Sequence, residues 1–383
     1  MTFKCLRPRL CREQAGLFFA QRVTAETKPL PRATKSEHGE VDRQAGPARF
    51  KANLHTIKYI TCLYILVESK LTLCYDKRMN KLRIGVIGVG HLGSIHAKLY
   101  KESPNCQLVG LCDSNQESLN QACSNLKVTG YTDYQELFNK VDAVSIAVPT
   151  SLHHKVAAEF LKAGIHTLVE KPFTLTLKEA DDLIKIAAKN KLTLQVGHIE
   201  RFNSAFSATL KIIKTPKFIE CHRLSSFPNR SLDVGVVLDI MIHDIDIVLG
   251  LVNSPLKRID SVGVNVLTKF EDIANARLTF KNGCVANLTA SRVSDDSMRK
   301  IRIFQEDTYI SLDYKNAEAS VYRKIGLRIT KENLPIEKEQ PLQKELESFI
   351  ACIIKQTTPL VDGKVAREAL AVALEIQKQI WRK

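Results

Sequence analysis

Leu82-Arg83-Ile84-Gly85-Val86-Ile87-Gly88-Val89-Gly90-His91-Leu92-Gly93 is the stretch that decides the fold. An apolar run ends in Gly88-x-Gly90-x-x-Gly93, and His91–Lys101 behind it has helical spacing. Strand, glycine turn and helix in that order form a cradle for a dinucleotide. Gly88 permits the tight turn, Gly90 lets backbone approach a pyrophosphate, and Gly93 lets helix and strand pack closely. The helix start at His91 and Leu92 points backbone N–H groups at an anion. A glycine triad alone is common in ordinary turns, so its context matters. Gln107–Cys112 reads as the next strand, and Asp113 closes it. That carboxylate can accept from ribose hydroxyls and would repel a 2′-phosphate. Ser114 and Asn115 follow it rather than an arginine, which favours NAD over NADP. The plainer reading of Asp113 is a helix cap or turn residue.

The alternation continues outward. Helices are predicted at Gln116–Ser124, His154–Ala163 and Lys178–Lys189, and strands at Ala143–Val148, Thr167–Val169 and Thr193–Val196. Strands alternating with helices of this length predict a parallel sheet covered on both faces. After Gly197 the texture changes. Helices are expected at Arg201–Ile213 and Val234–Leu249. Extended runs are expected at Phe218–Leu224, Ile259–Val266, Ala274–Phe280, Cys284–Ser291, Lys300–Phe304, Tyr309–Leu312 and Ala319–Tyr322. Lys281-Asn282-Gly283 signals a hairpin. The fold class is therefore α/β: a Rossmann dinucleotide-binding domain over 79–198, then an α+β domain with a largely antiparallel open sheet over 199–340. Helices in 341–383, at Leu342–Ile354 and Val365–Ile380, are expected to pack back on the first domain.

Three further constellations carry chemistry. Val148-Pro149-Thr150-Ser151-Leu152-His153 sits at the C-terminal edge of a strand, where open α/β sheets bind ligands. Pro149 shapes that loop, Thr150 can cap the next helix or touch a cofactor ribose, and His153 is either a further cofactor contact or merely a residue at the surface or one layer behind the site. Glu170-Lys171-Pro172 places a lysine just past another strand end. It is either a snorkelling surface charge or an acid/base group and hydroxyl anchor beside a nicotinamide ring. Glu170 can fix its position or bind a ribose. Finally, Asp239 and His243 stand four apart on a predicted helix, hence on one face. The carboxylate is expected to orient the imidazole, which titrates near neutrality. A lone histidine on an apolar helix is more often a core residue, but its pairing with Asp239 and Lys171 favours catalysis. A metal at this pair has no third ligand in the sequence.

The 383 residues suffice for two domains, and 44% apolar with 25% charged residues fits a globular protein. The formal charge is +15, and roughly half of it falls in residues 1–78. The remainder is scattered without a basic stripe or interleaved aromatics, which argues against nucleic acid as a partner. Four of the ten cysteines, Cys5, Cys11, Cys62 and Cys74, lie in that leading segment. The others show no zinc spacing, and Cys106, Cys112 and Cys352 read as core residues, which suggests a reducing, cytoplasmic setting. Ile57–Cys74 is too short and charged for a membrane span. Met79 precedes the first strand directly, so residues 1–78 are expected to be a disordered or non-native extension.

In this order the glycine turn, Val148-Pro149-Thr150, Gly164, Glu170-Lys171-Pro172, the Asp239/His243 helix and Pro359-Leu360-Val361-Asp362-Gly363 resemble the glucose-fructose oxidoreductase/inositol dehydrogenase (Gfo/Idh/MocA) family over nearly all of 80–383. The resemblance implies an NAD-dependent dehydrogenase with Lys171, Asp239 and His243 at the catalytic positions. It also implies a β-rich domain that commonly supplies an oligomer interface, as in a homodimer or tetramer. Gly197-His198-Ile199-Glu200-Arg201-Phe202-Asn203 and Asp233-Val234-Gly235-Val236-Val237-Leu238-Asp239 look most like the family's UDP-N-acetylglucosamine 3-dehydrogenases, although Ser204 stands where proline is expected. Such enzymes oxidise the sugar 3-hydroxyl to a ketone, and a partner aminotransferase then forms a 3-amino sugar for lipid A synthesis. Arg201 and Arg230 suit diphosphate contacts to the nucleotide sugar because guanidinium forks match phosphate. Their plainer reading is surface solubility. A free-polyol dehydrogenase such as one for inositol is the alternative enzyme, and a non-catalytic sugar or dinucleotide sensor the alternative of another class.

Overall fold

The computed structural model of the protein describes residues 81–227, 234–337 and 339–382. The expectations for residues 1–78, for Met79 and for Arg230 lie outside them.

Six strands form a parallel sheet in the order β3-β2-β1-β4-β5-β6. They are β1 (Leu82–Ile87), β2 (Cys106–Cys112), β3 (Thr129–Tyr131), β4 (Ala143–Ile146), β5 (His166–Glu170) and β6 (Leu194–Gly197). Four helices cover it: α1 (His91–Glu102), α2 (Gln116–Leu126), α3 (Thr150–Lys162) and α4 (Leu177–Asn190). Both β4 and β6 are buried at every position, the pattern of strands covered on two faces. Order reverses between β1 and β4, so a crevice opens at their C-terminal ends. The glycine turn after β1 and Val148-Pro149 after β4 border that crevice, and β5 delivers Lys171 to the same edge.

The second sheet has eight strands, ordered β14-β13-β12-β11-β7-β10-β9-β8. They are β7 (Phe218–Leu224), β8 (Leu256–Val264), β9 (Ile273–Phe280), β10 (Val285–Ser291), β11 (Met298–Gln305), β12 (Thr308–Asp313), β13 (Glu318–Ile325) and β14 (Arg328–Asn333). Only the central β7–β10 pair is parallel. Along β9 and β10 burial alternates, so one face meets the core and the other faces outward. Gly283, at φ +85°, closes the β9–β10 hairpin, a position where glycine adopts left-handed backbone without a steric penalty.

Two predicted helices differ in detail. Arg201–Ile213 is instead a 3₁₀ turn, Ile199–Phe202, followed by the short α5 (Ser204–Thr209). Asn203 interrupts because its side chain caps Ala205 N at 3.0 Å, a competition that asparagine often wins against continued helix. Val234–Leu249 begins with a π turn at Val237–Met241 and continues as α6 (Ile242–Leu251).

The last helices are α7 (Pro341–Lys355) and α8 (Gly363–Trp381). Leu342, Leu346, Phe349 and Ile350 of α7 share a core with Ile84, Val86 and Tyr100 of the first sheet and α1. Helix α8 spans both halves. Arg367 pairs with Asp181 of α4 at 2.9 Å, and Ser261 of β8 donates to the Ile376 carbonyl at 3.2 Å.

Candidate active site

Residues of the glycine turn meet the demands of a dinucleotide. Gly88 has φ +88°, and a Cβ there would sit 2.5 Å from the Ala147 carbonyl oxygen. A Cβ on Gly93 would collide with the Gly88 carbonyl, while Gly90 faces open space. His91 and Leu92 are exposed at the start of α1, and first-turn N–H groups have no intrahelical acceptor. Asp113 accepts from Val89 N at 2.7 Å and from Asn115 N at 2.8 Å. It is thus both a turn brace and, with unused lone pairs, an acceptor for ribose hydroxyls. These features fit NAD.

Around Val148–Thr150 the site departs from the sequence reading. Pro149 occupies the cap position of α3 and Thr150 is its first residue, 8% exposed. His153 is 1% exposed. One ring nitrogen lies 2.9 Å from the Pro172 carbonyl, the other 2.9 Å from the Val148 carbonyl. Its expected cofactor contact is therefore corrected: it ties the two loops that follow β4 and β5 and presents no free nitrogen to the crevice. Burial pushes its titration down, against the two carbonyls.

Glu170 is also interior. Its Oε1 lies 3.1 Å from His96 Nε2, and its carboxylate fills the space over Gly197, where a Cβ would come within 2.9 Å. Burial pushes the Glu170 carboxyl up, but His96 and Lys171 together hold it below its usual value. His96 Nδ1 in turn pairs with Ser145 Oγ at 2.7 Å. Glu170 accepts from Lys171 N at 3.2 Å, in keeping with the first role expected of it, fixing the position of the lysine.

The two halves meet at Lys171. Its Nζ donates to Asp239 Oδ1 at 2.7 Å and to the Asp239 carbonyl at 2.8 Å. This corrects the expectation that Asp239 orients His243. A full ammonium from β5 is the better partner for a carboxylate than a neutral imidazole, and His243 Nδ1 is buried without a hydrogen-bond partner. The π turn carrying Asp239 is clasped by Glu271, which accepts from Val237 N at 3.3 Å, Gln377 Nε2 at 2.8 Å and Trp381 Nε1 at 3.1 Å. Such π insertions recur at functional sites.

His243 lies near Lys171 and packs edge-on against His198 at 6.2 Å between ring centroids. Burial, then the charges of Lys171 and Arg223, then His198 and Arg299, hold its imidazole well below histidine's ordinary range. It is a neutral base poised beside a cation. Behind it Arg223 joins Asp244 at 2.8 Å and Glu200 at 2.7 Å. None of these three had a role in the sequence reading. Arg223 carried a signal nonetheless: it occupies an inward position of β7 after Ile219 and Cys221.

Arg201 is corrected too. It donates to Asp246 Oδ2 at 2.6 Å, Oδ1 at 3.0 Å and the Asp246 carbonyl at 2.7 Å. With all three acceptors on Asp246 of α6 it is a tie between the 3₁₀ turn and that helix, not a free fork for diphosphate.

Comparison with known proteins follows the same division. Residues 82–198 match the Gfo/Idh/MocA oxidoreductase family's NAD-binding Rossmann fold, and 196–311 match the Gfo/Idh/MocA C-terminal domain. The chain belongs to the Gfo/Idh/MocA family of oxidoreductases. It is 39% identical over 308 residues to a UDP-N-acetylglucosamine 3-dehydrogenase of Acidithiobacillus ferrooxidans, covering 78% of this chain and 97% of that one. A solved structure of that enzyme superposes with a TM-score of 0.75 over 79% of this chain and 98% of the other. A myo-inositol 2-dehydrogenase of Thermotoga maritima is 26% identical over 333 residues, covering 79% and 97%. This Gfo/Idh/MocA protein is thus an NAD-dependent dehydrogenase acting on CH–OH groups. Among the described residues no helix is long and apolar enough to cross a membrane.

Proposed function

We propose that the protein oxidises the 3-hydroxyl of UDP-N-acetylglucosamine to the 3-keto sugar, with Lys171 and His243 at the reacting carbon. The observation that carries this reading is the Lys171–Asp239 pair at 2.7 Å, made across the two domains beside a neutral His243. An ammonium has three donors, and Asp239 takes two of them. The third is left for the sugar oxygen. Lys171 anchors that oxygen and stabilises the charge that builds on it as its proton leaves. His243 accepts the proton, which requires the neutral form that its surroundings enforce. Asp239 aims the lysine, and the Glu271 clasp holds Asp239 in place. NAD, when bound, supplies the hydride acceptor. The substrate follows from the A. ferrooxidans relative, whose likeness spans both domains.

The product, a 3-keto nucleotide sugar, suits consumption by an aminotransferase on the way to a 3-amino sugar for lipid A, in the cytoplasm. An oligomer fits the outer face of the second sheet. There Phe218, Phe304, Tyr309 and Tyr322 form a half-exposed ladder with ring centroids 5.7, 4.7 and 4.7 Å apart.

The test is NADH formation by purified protein offered NAD with UDP-N-acetylglucosamine, other UDP-sugars and inositols. Turnover of the first is the expected result. Turnover of an inositol instead would move the assignment to a free-polyol dehydrogenase, and NAD binding without turnover of any would leave a sensor.

A further inference from the structure

Buried polar atoms normally find partners. Among the described residues those that do not are concentrated along one seam. They are His243 Nδ1, both ring nitrogens of His198, Gln195 Oε1, both carboxyl oxygens of Glu345, and Tyr100 Oη. His96 Nε2 belongs with them, 3.1 Å from Glu170 without an aligned hydrogen bond. Tyr314 Oη is one more such atom, away from the seam over Arg223.

These side chains form a sequence in space. His243 packs against His198. His198 directly follows β6, which carries Gln195, and Gln195 Nε2 donates to the Glu345 backbone carbonyl at 3.1 Å. Glu345, fully buried on α7, lies within electrostatic reach of Glu170, Asp246 and Tyr100. Tyr100, whose hydroxyl faces Ser145 without an aligned hydrogen bond, borders a cleft of about 70 Å³ between α1 and α7, whose rim includes Glu102 and Glu347. Polar interior sites of this kind hold ordered water.

We propose that this seam is the exit for the proton released by the oxidation, passed through ordered water from His243 by way of His198 and Glu345 to Tyr100 and the α1–α7 cleft. The inference rests on His243 being the base. In the reaction the sugar O–H and C–H bonds break and a C=O bond forms. The hydride goes to the nicotinamide and the proton to His243, which must lose it before the next turnover. With substrate and dinucleotide bound, the way left for the proton on this reading is the buried Nδ1 side of the imidazole.

Each member can both donate and accept. Burial pushes the Glu345 carboxyl well up, and the charges of Glu170 and Asp246 add to that, so it is a neutral acid. Burial lowers His198; Asp246 and Glu170 oppose this, while Arg201 and Lys171 reinforce it, leaving a neutral imidazole. Glu345 and His198 are positioning residues here, since neither needs to touch the substrate.

The experiment is stopped-flow turnover of the full chain with NAD and UDP-N-acetylglucosamine, reading NADH and bulk proton release with an indicator dye. In the wild type both should rise together. In Glu345→Gln the first-turnover NADH rate should persist while proton release lags about 10-fold. Tyr100→Phe, which removes only the outlet hydroxyl, should show a smaller lag, and it decides alone if the first variant does not fold. Release in step with NADH in the folded variants would overturn the proposal. His243→Asn separates the two ideas: wild-type NADH formation there would sink the base assignment itself, whereas a dead His243→Asn with undelayed Glu345→Gln would sink only the exit path.

A second reading needs no turnover. A carboxyl raised in the folded state loses stability as pH climbs above its unfolded value of 4.5. The stability of Glu345→Gln relative to wild type should therefore grow with pH through that window. A difference that stays constant would show Glu345 charged in the fold and end its part as a relay.

Discussion

Among the described residues, the buried charges on one side of His243 are paired, and on the other side polar atoms go without partners. Toward α6 and β7, Arg223 meets Asp244 and Glu200, and Arg201 meets Asp246. Toward β6 and α7, His198 and Glu345 are buried with no side-chain hydrogen bond. A satisfied ionic cluster holds geometry. Neutral, unsatisfied groups leave room for water and for proton movement. The contrast separates what fixes the imidazole from what serves it, with Lys171–Asp239 at the boundary, bonded yet 17% and 13% exposed at its two side chains.

The largest effect should come from that boundary. Lys171→Met removes the hydroxyl anchor and should lower hydride transfer by roughly 10²–10⁴-fold. NAD affinity, set mainly by the glycine turn, should change little by calorimetry. Wild-type turnover in this variant would dissolve the distinction between boundary and interior.

Next is the satisfied side. Arg223→Met would strand Asp244 and Glu200, both buried, and breaking such a pair typically destabilises by about 3–5 kcal/mol. Urea denaturation would measure it. A loss below ~1 kcal/mol, the range of exposed pairs, would mean that the cluster does not hold the imidazole's surroundings.

How much of this was legible in sequence follows from range. The first sheet was readable because its signals are local: Gly88, Gly93 and Asp113 act within one β1-α1-β2 unit. Lys171 and His243 were readable as types at strand and helix ends. Their partners were not. The i, i+4 spacing put Asp239 on the face of His243, but spacing cannot weigh a competing ammonium that arrives from another strand. Arg201 and His153 failed for the same reason, since each found an interior partner that the chain alone does not announce. Glu345 did leave a trace: it falls between Leu342 and Leu346 on the apolar stripe of α7, where a solvated charge does not belong. The edge strand β14 left none. All six of its residues are exposed, so it has no buried face to imprint a period of two.

The smallest effect tests the field across the boundary. Arg299 on β11 is exposed, and its charge is the last among those that lower His243. Base catalysis needs the neutral imidazole, so kcat/KM should fall on the acid side only as His243 becomes protonated. Because burial, Lys171 and Arg223 hold that titration well below histidine's ordinary range, the wild-type acid limb should lie at correspondingly low pH. Removing a positive neighbour makes protonation easier. Arg299→Gln should therefore move the limb toward higher pH, with the plateau kcat/KM unchanged. Added salt should shrink the difference, because an exposed charge is screened. A limb that stays in place or moves the opposite way would mean that the titrating group does not lie in the field of Arg299 as His243 does, and the base would have to be sought elsewhere than His243.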